Sequence, residues 1–126
     1  MGKAKLQVAL DFVNLHRAID VAKQAVAGGA DYIEAGTPLI KSEGLDAVRQ
    51  LRDLFPDKII IADMKTMDAG KIEAEAAAKA GANIMTVLGS AVESTIRECV
   101  ESGRQYGMKV AVDLLGVQDP VPFVKK

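Results

Sequence analysis

Asp63, Lys65 and Asp68 follow directly on a run of apolar residues, Ile59-Ile60-Ile61-Ala62. A β-branched run of this kind suits a parallel strand covered on both faces. Residues two apart on an extended chain point the same way, so Asp63 and Lys65 share a side. Charges at the end of a buried strand lose solvation, which packing alone does not reward. Two carboxylates bracketing an ammonium can act as metal ligand, electrophile and acid or base. The same residues also fit a plain Asp–Lys ion pair with Asp68 capping the next helix. Further acids stand at comparable places: Asp11 after Val8-Ala9-Leu10, Glu34 after Tyr32-Ile33, and Asp113 after Val110-Ala111-Val112.

These acids need strands to carry them and helices to space them. Five strands are expected, at Leu6 to Asp11, Tyr32 to Gly36, Ile59 onward, Asn83 to Leu88 and Lys109 to Leu114. Asn14 reads as the N-cap of a first helix whose apolar face is Ala18, Ile19, Ala22, Ala25 and Val26, with Gly28-Gly29 as its stop. Thr37-Pro38 breaks the second strand. Ser42 is expected to cap a second helix with a stripe of Leu45, Val48, Leu51 and Leu54. A third, alanine-rich helix is expected over 69–80, with Glu75 four residues before Lys79. Ser90 and Glu93 have capping-box spacing for a fourth, whose face is Ile96, Cys99 and Val100. Asp119-Pro120 has the chemistry of a further helix start. The stretch Gly29-Ala30-Asp31-Tyr32-Ile33 is echoed by Gly81-Ala82-Asn83-Ile84-Met85, each running from helix stop to strand. A strand–helix unit recurring about every 25 residues predicts an α/β fold with a parallel sheet.

Composition narrows the function classes. With 16 basic and 17 acidic residues the charges nearly cancel, so nothing marks a nucleic-acid surface. No apolar run is long enough to span a membrane and no signal-peptide core stands at the start, so the expected compartment is the cytoplasm. Cys99 is the only cysteine and reads as a core thiol in a reducing compartment. His16 is the only histidine, in a first helical turn, and is expected to face solvent.

Two architectures accommodate five such strands: an open flavodoxin-like sheet, or part of a (β/α)8 barrel whose full length is ~250 residues. Length favours the open sheet. In that sheet, however, strand two is an edge remote from strand three, and Glu34 could not join Asp63. In a barrel the two strands are neighbours and their carboxylates converge. The open-sheet rival with a concrete function is a phosphoacceptor receiver domain. Asp11 lacks the acidic neighbour it needs, and Asp113-Leu114-Leu115-Gly116 stands where its lysine should be.

Val8-Ala9-Leu10-Asp11, Ile33-Glu34-Ala35-Gly36-Thr37-Pro38-Leu39-Ile40, Ala62-Asp63-Met64-Lys65-Thr66-Met67-Asp68-Ala69-Gly70, Thr86-Val87-Leu88-Gly89 and Val112-Asp113-Leu114 together resemble the orotidine-monophosphate-decarboxylase superfamily of barrels. The likeness is nearest to its 3-hexulose-6-phosphate synthase branch. The Asp-x-Lys-x-x-Asp element after strand three is the superfamily hallmark. The resemblance implies a metal-dependent aldol condensation of formaldehyde with ribulose 5-phosphate, giving a 3-hexulose 6-phosphate, and its reverse. Proton removal beside a ketone leaves an ene-diolate, whose charge needs a cation at the forming oxygens. By this resemblance Glu34 and Asp63 would be ligands of Mg²⁺ (or Mn²⁺), and Lys65 would stabilise developing negative charge. Asp11 would hold a substrate hydroxyl and orient Lys65. Asp68 would act across a homodimer interface, with Thr37 contributing there, and Asp113 would assist in substrate binding. Each also has a structural reading: Asp11 as a helix cap, Glu34 in a cross-strand salt bridge, Thr37-Pro38 as a turn, Asp113 bonded to loop amides. Thr86 is read as packing.

The likeness covers the chain but not the whole family fold. Residues 1–126 are expected to form strands one to five of an incomplete barrel, the N-terminal part of a longer enzyme. A histidine on strand six and the phosphate loops after strands seven and eight would lie beyond it. Gly89-Ser90 offers at most a weak anion site and is read as a cap. Two open sheet edges would favour association with a second copy. Alternatives are a 3-keto-gulonate-6-phosphate decarboxylase, and a half-barrel with no turnover.

Overall fold

A computed structural model describes residue 2 and residues 4–125. Five parallel strands alternate with helices: β1 Gln7–Leu10, α1 Leu15–Ala27, β2 Tyr32–Ala35, α2 Thr37–Glu43, α3 Asp46–Leu54, β3 Ile59–Thr66, α4 Gly70–Lys79, β4 Ile84–Leu88, α5 Glu93–Tyr106, β5 Lys109–Asp113 and α6 Pro120–Phe123. The strand order is β1-β2-β3-β4-β5, the order of the sequence. An open doubly-wound sheet would place β1 between β2 and β3, so this order is that of a barrel arc. Among the described residues no helix is long and apolar enough to cross a membrane.

The two faces of the sheet differ. Leu10, Ile33, Ala35, Ile60, Ala62, Met85 and Val87 are buried on one face, where the helices supply Ala18, Ala22, Val48, Leu51, Ala74, Ala77 and Cys99. The alternate positions, among them Gln7, Ala9, Tyr32, Glu34, Ile59, Ile84 and Thr86, are less buried and carry the polar groups. Glu34 pairs in register with Ala9 on one side and Ile61 on the other. It therefore points to the same side as Asp63, two residues beyond Ile61.

The sequence echo is a structural device. Gly29 and Gly81 take φ values of +99° and +98°, which glycine adopts without Cβ strain. Two residues on, Asp31 Oδ2 accepts the Leu6 amide at 2.9 Å, and Asn83 Oδ1 accepts the Ile60 amide at 2.8 Å. Each side chain thus ties its own strand to the start of the preceding one. Arg52 reinforces the second tie, donating to Asn83 Oδ1 and to the carbonyls of Gly81 (2.9 Å), Pro56 and Lys58 (both 3.0 Å).

Four local expectations are corrected. Thr37-Pro38 does not merely turn the chain: it opens the extra helix α2, with Gly36 as N-cap and Pro at a first-turn position, where its missing N–H costs nothing. Ser42 therefore lies inside α2, and its hydroxyl donates to the Val13 carbonyl at 2.7 Å instead of capping α3. Leu54 is 45% exposed, outside the buried stripe of α3, because that short helix ends there. Ser90 is not the cap of α5. Val92 holds that place, and Ser90 Oγ donates to the Leu115 carbonyl at 3.3 Å. His16 is exposed and Cys99 buried, as expected; burial pushes the thiol up to about 11.

Candidate active site

The charged end of β3 is not regular strand. Between Ala62, paired with Met85, and Thr66, paired with Val87, β3 advances four residues while β4 advances two. Asp63, Met64 and Lys65 thus stand opposite the single residue Thr86. The extra length is taken up by a bulge in which Lys65 adopts φ +46°, a left-handed conformation that a side chain resists. The bulge folds the Lys65 side chain back over Asp63: Nζ lies 2.9 Å from Oδ2 and 3.1 Å from Oδ1. It also reaches Asp113 Oδ2 on β5 at 2.7 Å.

Asp63 is buried, only 6% exposed. Thr37 Oγ1, in the first turn of α2, lies 2.8 Å from Asp63 Oδ2 and 2.9 Å from its carbonyl oxygen. Thr86 Oγ1 donates to Oδ1 at 2.7 Å. Burial would push the Asp63 carboxyl up, but the bonds from Lys65, Thr86 and Thr37 hold it below the ordinary value. Asp113 is held low by its bond to Lys65 and by the Leu115 amide, which donates to Oδ1 at 2.9 Å. The bond to Asp113, seconded by Asp63, raises Lys65 well above its usual range. Lys65 is thus a fixed cation at any ordinary pH, suited to stabilising negative charge and not to abstracting a proton.

Glu34 behaves oppositely. Burial first, and then the charges of Asp63 and Asp11, push its carboxyl up, against a hydrogen bond from Gln7 Nε2. A cation placed among these acids would relieve that repulsion. Glu34 and Asp63 are hard oxygen donors of the kind Mg²⁺ or Mn²⁺ takes. Among the described residues the one hydrogen-bond partner of Glu34 is Gln7, at Oε2. Among the described residues no group of three or more potential ligands is close enough to hold a metal alone. Both Asp63 oxygens are already bonded, Oδ1 to Lys65 and Thr86 and Oδ2 to Lys65 and Thr37, so a cation held there would share that carboxylate with the lysine.

Asp63, Lys65, Asp113 and Thr37 are brought together, and Glu34 lies within reach of their charges. Asp11 is exposed beyond the end of β1, beside Gly36, where an added Cβ would meet its carboxylate. No hydrogen bond joins Asp11 to Lys65; Asp113 and Asp63 orient the lysine instead. Asp68 is exposed in the loop before α4, accepts the Ala69 amide at 2.7 Å, and has no hydrogen bond to the group. Thr86 is not simply packing: besides donating to Asp63 it accepts the Lys65 amide at 2.9 Å. Gln7 is a further member that residue type does not reveal. Its signal lies in strand register, Gln7 opposing Tyr32 one pleat from Glu34.

Residues 4–125 match the model of the orotidine 5'-phosphate decarboxylase / HUMPS family. The chain belongs to this family. Within the family it is 50% identical over 115 residues to the 3-hexulose-6-phosphate synthase of Mycobacterium gastri, covering 91% of this chain and 55% of that one. A solved structure of 3-hexulose-6-phosphate synthase superposes with a TM-score of 0.92 at 48% identity, over 95% of this chain and 57% of the other. KGPDC from Streptococcus mutans, solved in complex with a sugar phosphate, gives a TM-score of 0.86 at 38% identity over 95% and 56%. The fold is therefore part of the family's TIM-type barrel, and the chain spans about half the length of these proteins.

Proposed function

We propose that this chain carries the metal and lysine half of a 3-hexulose-6-phosphate synthase site, acting on formaldehyde and ribulose 5-phosphate in the cytoplasm. The observation that carries this reading is the Lys65 ammonium clamped between Asp63 and Asp113, with the strained acid Glu34 beside them. Mg²⁺ or Mn²⁺ held by Glu34 and Asp63 would draw negative charge toward the reacting oxygens of the sugar. Lys65, permanently charged, would stabilise charge developing on the same side of the substrate. Its ammonium carries three protons, so one would remain for a substrate oxygen while Asp63 and Asp113 each take one. Asp11, exposed at the rim, would accept a sugar hydroxyl, with Asp113 assisting in substrate binding. Asp68, exposed and outside the cluster, would serve a second copy's site in a homodimer, with Thr37 near that boundary.

The test is formaldehyde consumption in the presence of ribulose 5-phosphate and Mg²⁺, first with this chain and then with the chain extended to the length of its relatives. Consumption that depends on Mg²⁺ and disappears in Glu34→Gln supports the reading. No consumption in either, together with no change in melting temperature on adding ribulose 5-phosphate and Mg²⁺, overturns it. The likeness to KGPDC favours a second reading, decarboxylation of 3-keto-gulonate 6-phosphate by the same acids and lysine. Release of CO₂ from that substrate without formaldehyde consumption would select it.

A further inference from the structure

We infer that Thr86 is the positioning residue of this site, its one hydroxyl setting both the bulged backbone of Lys65 and the orientation of Asp63. The inference rests on the proposed role of the Asp63–Lys65 pair.

A bulge removes ladder partners from the strand that carries it, and a main-chain N–H left unpaired in a half-buried place is costly. Here the amide concerned is that of Lys65, and its acceptor is a side chain: Thr86 Oγ1 at 2.9 Å. Thr86 is the one β4 residue between Met85 and Val87, the two that hold regular register on either side of the bulge. No other β4 side chain stands opposite it. The same oxygen donates its single proton to Asp63 Oδ1 at 2.7 Å. A hydroxyl is the smallest group that can both accept and donate here, and once both bonds form its direction has no freedom left. Lys65 at φ +46° is a strained residue and persists only where its surroundings over-determine it. The bond from its amide to Thr86 and the bonds from its ammonium to Asp63 and Asp113 supply that determination from both ends.

Thr37 provides the contrast. It bonds the same carboxylate through Oδ2 but makes no bond to Lys65. Loss of the Thr37 hydroxyl should loosen Asp63 alone, whereas loss of the Thr86 hydroxyl should loosen Asp63 and release the Lys65 backbone together. Valine in place of Thr86 keeps the branched shape that suits a strand and removes only the two bonds. Serine keeps the bonds and removes a methyl group.

The experiment is amide hydrogen exchange by NMR on the full chain, wild type, T86V, T86S and T37V, with the ¹⁵N signal of the Lys65 ammonium followed in parallel. In the wild type the Lys65 amide is expected to be protected although it has no ladder partner. T86V is expected to speed its exchange by about tenfold or more and to broaden or lose the ammonium signal. T86S should restore both, and T37V should leave the Lys65 amide at the wild-type rate. A Lys65 amide that exchanges freely in the wild type, or T86V retaining both signals, overturns the inference. The wild-type measurement decides even if T86V fails to fold. Mg²⁺ titration of the same samples separates the two ideas. Absence of any Mg²⁺-dependent shift at Glu34 and Asp63 counts against the proposed reaction and leaves the exchange result on Thr86 standing.

Discussion

Lys65 on β3 and Asp113 on β5 are joined at 2.7 Å although β4 lies between their strands. In a flat sheet, strands two places apart are ~10 Å from each other. The long lysine side chain, aimed by the bulge, spans that gap. The pair thus ties together two strands that do not pair with each other, at the end of the sheet that holds the site.

Replacement of Lys65 by Met should separate electrostatics from shape. Asp63 and Asp113 would lose their shared cation, and both carboxyls should titrate closer to, or for buried Asp63 above, the ordinary 3.8. Side-chain ¹³C titration measures this directly. Lys65→Arg should not restore the wild type, because a planar fork cannot make the same compact contacts to two acids.

The pH dependence of stability follows from the same group. Asp63 and Asp113 have folded values below the ordinary one, so their contribution is complete above about pH 4 and is lost as the pH falls through the folded values. Lys65 is raised from 10.5, so its contribution is complete below that pH and is lost only in stronger alkali. Glu34 works the other way. Raised above 4.5, it favours the fold when protonated, and that benefit disappears as the pH rises past its folded value. Melting temperature should therefore fall steeply below pH 4. In Glu34→Gln, stability between pH 5 and 8 should exceed the wild type by about 0.5–1 kcal/mol, a figure kept small because the group is half-exposed.

Gly36→Ala tests the rim of β2. The added methyl group would run into the Asp11 carboxylate and lie 2.8 Å from the Leu10 carbonyl oxygen, a backbone atom that cannot step aside cheaply. A loss of about 1–3 kcal/mol is expected, with displacement of Asp11 seen as a change in its NMR environment.

Arg52 should matter more than its surface position suggests. Its guanidinium serves four carbonyls and Asn83, so Arg52→Ala should cost about 2–3 kcal/mol, read as a fall in melting temperature. Asn83→Ala removes the partner it shares, so the double variant should cost less than the two single losses added together.

Cys99 should resist thiol reagents in the native protein. It is fully buried, its Sγ lies 3.6 Å from the Gly70 carbonyl, and its thiol is held near 11. Modification should track unfolding, reaching completion only in denaturant.

Much of this architecture was legible because it rests on periodicity and punctuation. Gly28-Gly29 and Gly81 stop helices, the isoleucine run is a buried strand, and the placing of Glu34 beside β3 follows from choosing a barrel over an open sheet. Helix α2 is not legible in the sequence because Thr37-Pro38 serves a turn and a first helical turn equally well. Spacing along the chain shows only local partners, and by it the hydroxyls of Ser42 and Ser90 suit helix caps. Their acceptors, Val13 and Leu115, are more than twenty residues away. The bulge at Lys65 was hidden for a deeper reason. A shift of register belongs to a pair of strands, and a single strand's residues do not encode it, so the role of Thr86 shows only in the pairing of β4 with β3.

Because every strand pairs with its immediate predecessor, the sheet can be assembled in the order of synthesis, one unit at a time. The carboxylate pair of β2 and β3 can meet early. Lys65, already beside Asp63, acquires its second anchor, Asp113, only after a further 48 residues have been added. Closure of that last contact marks the moment at which a growing chain first holds a finished charge cluster.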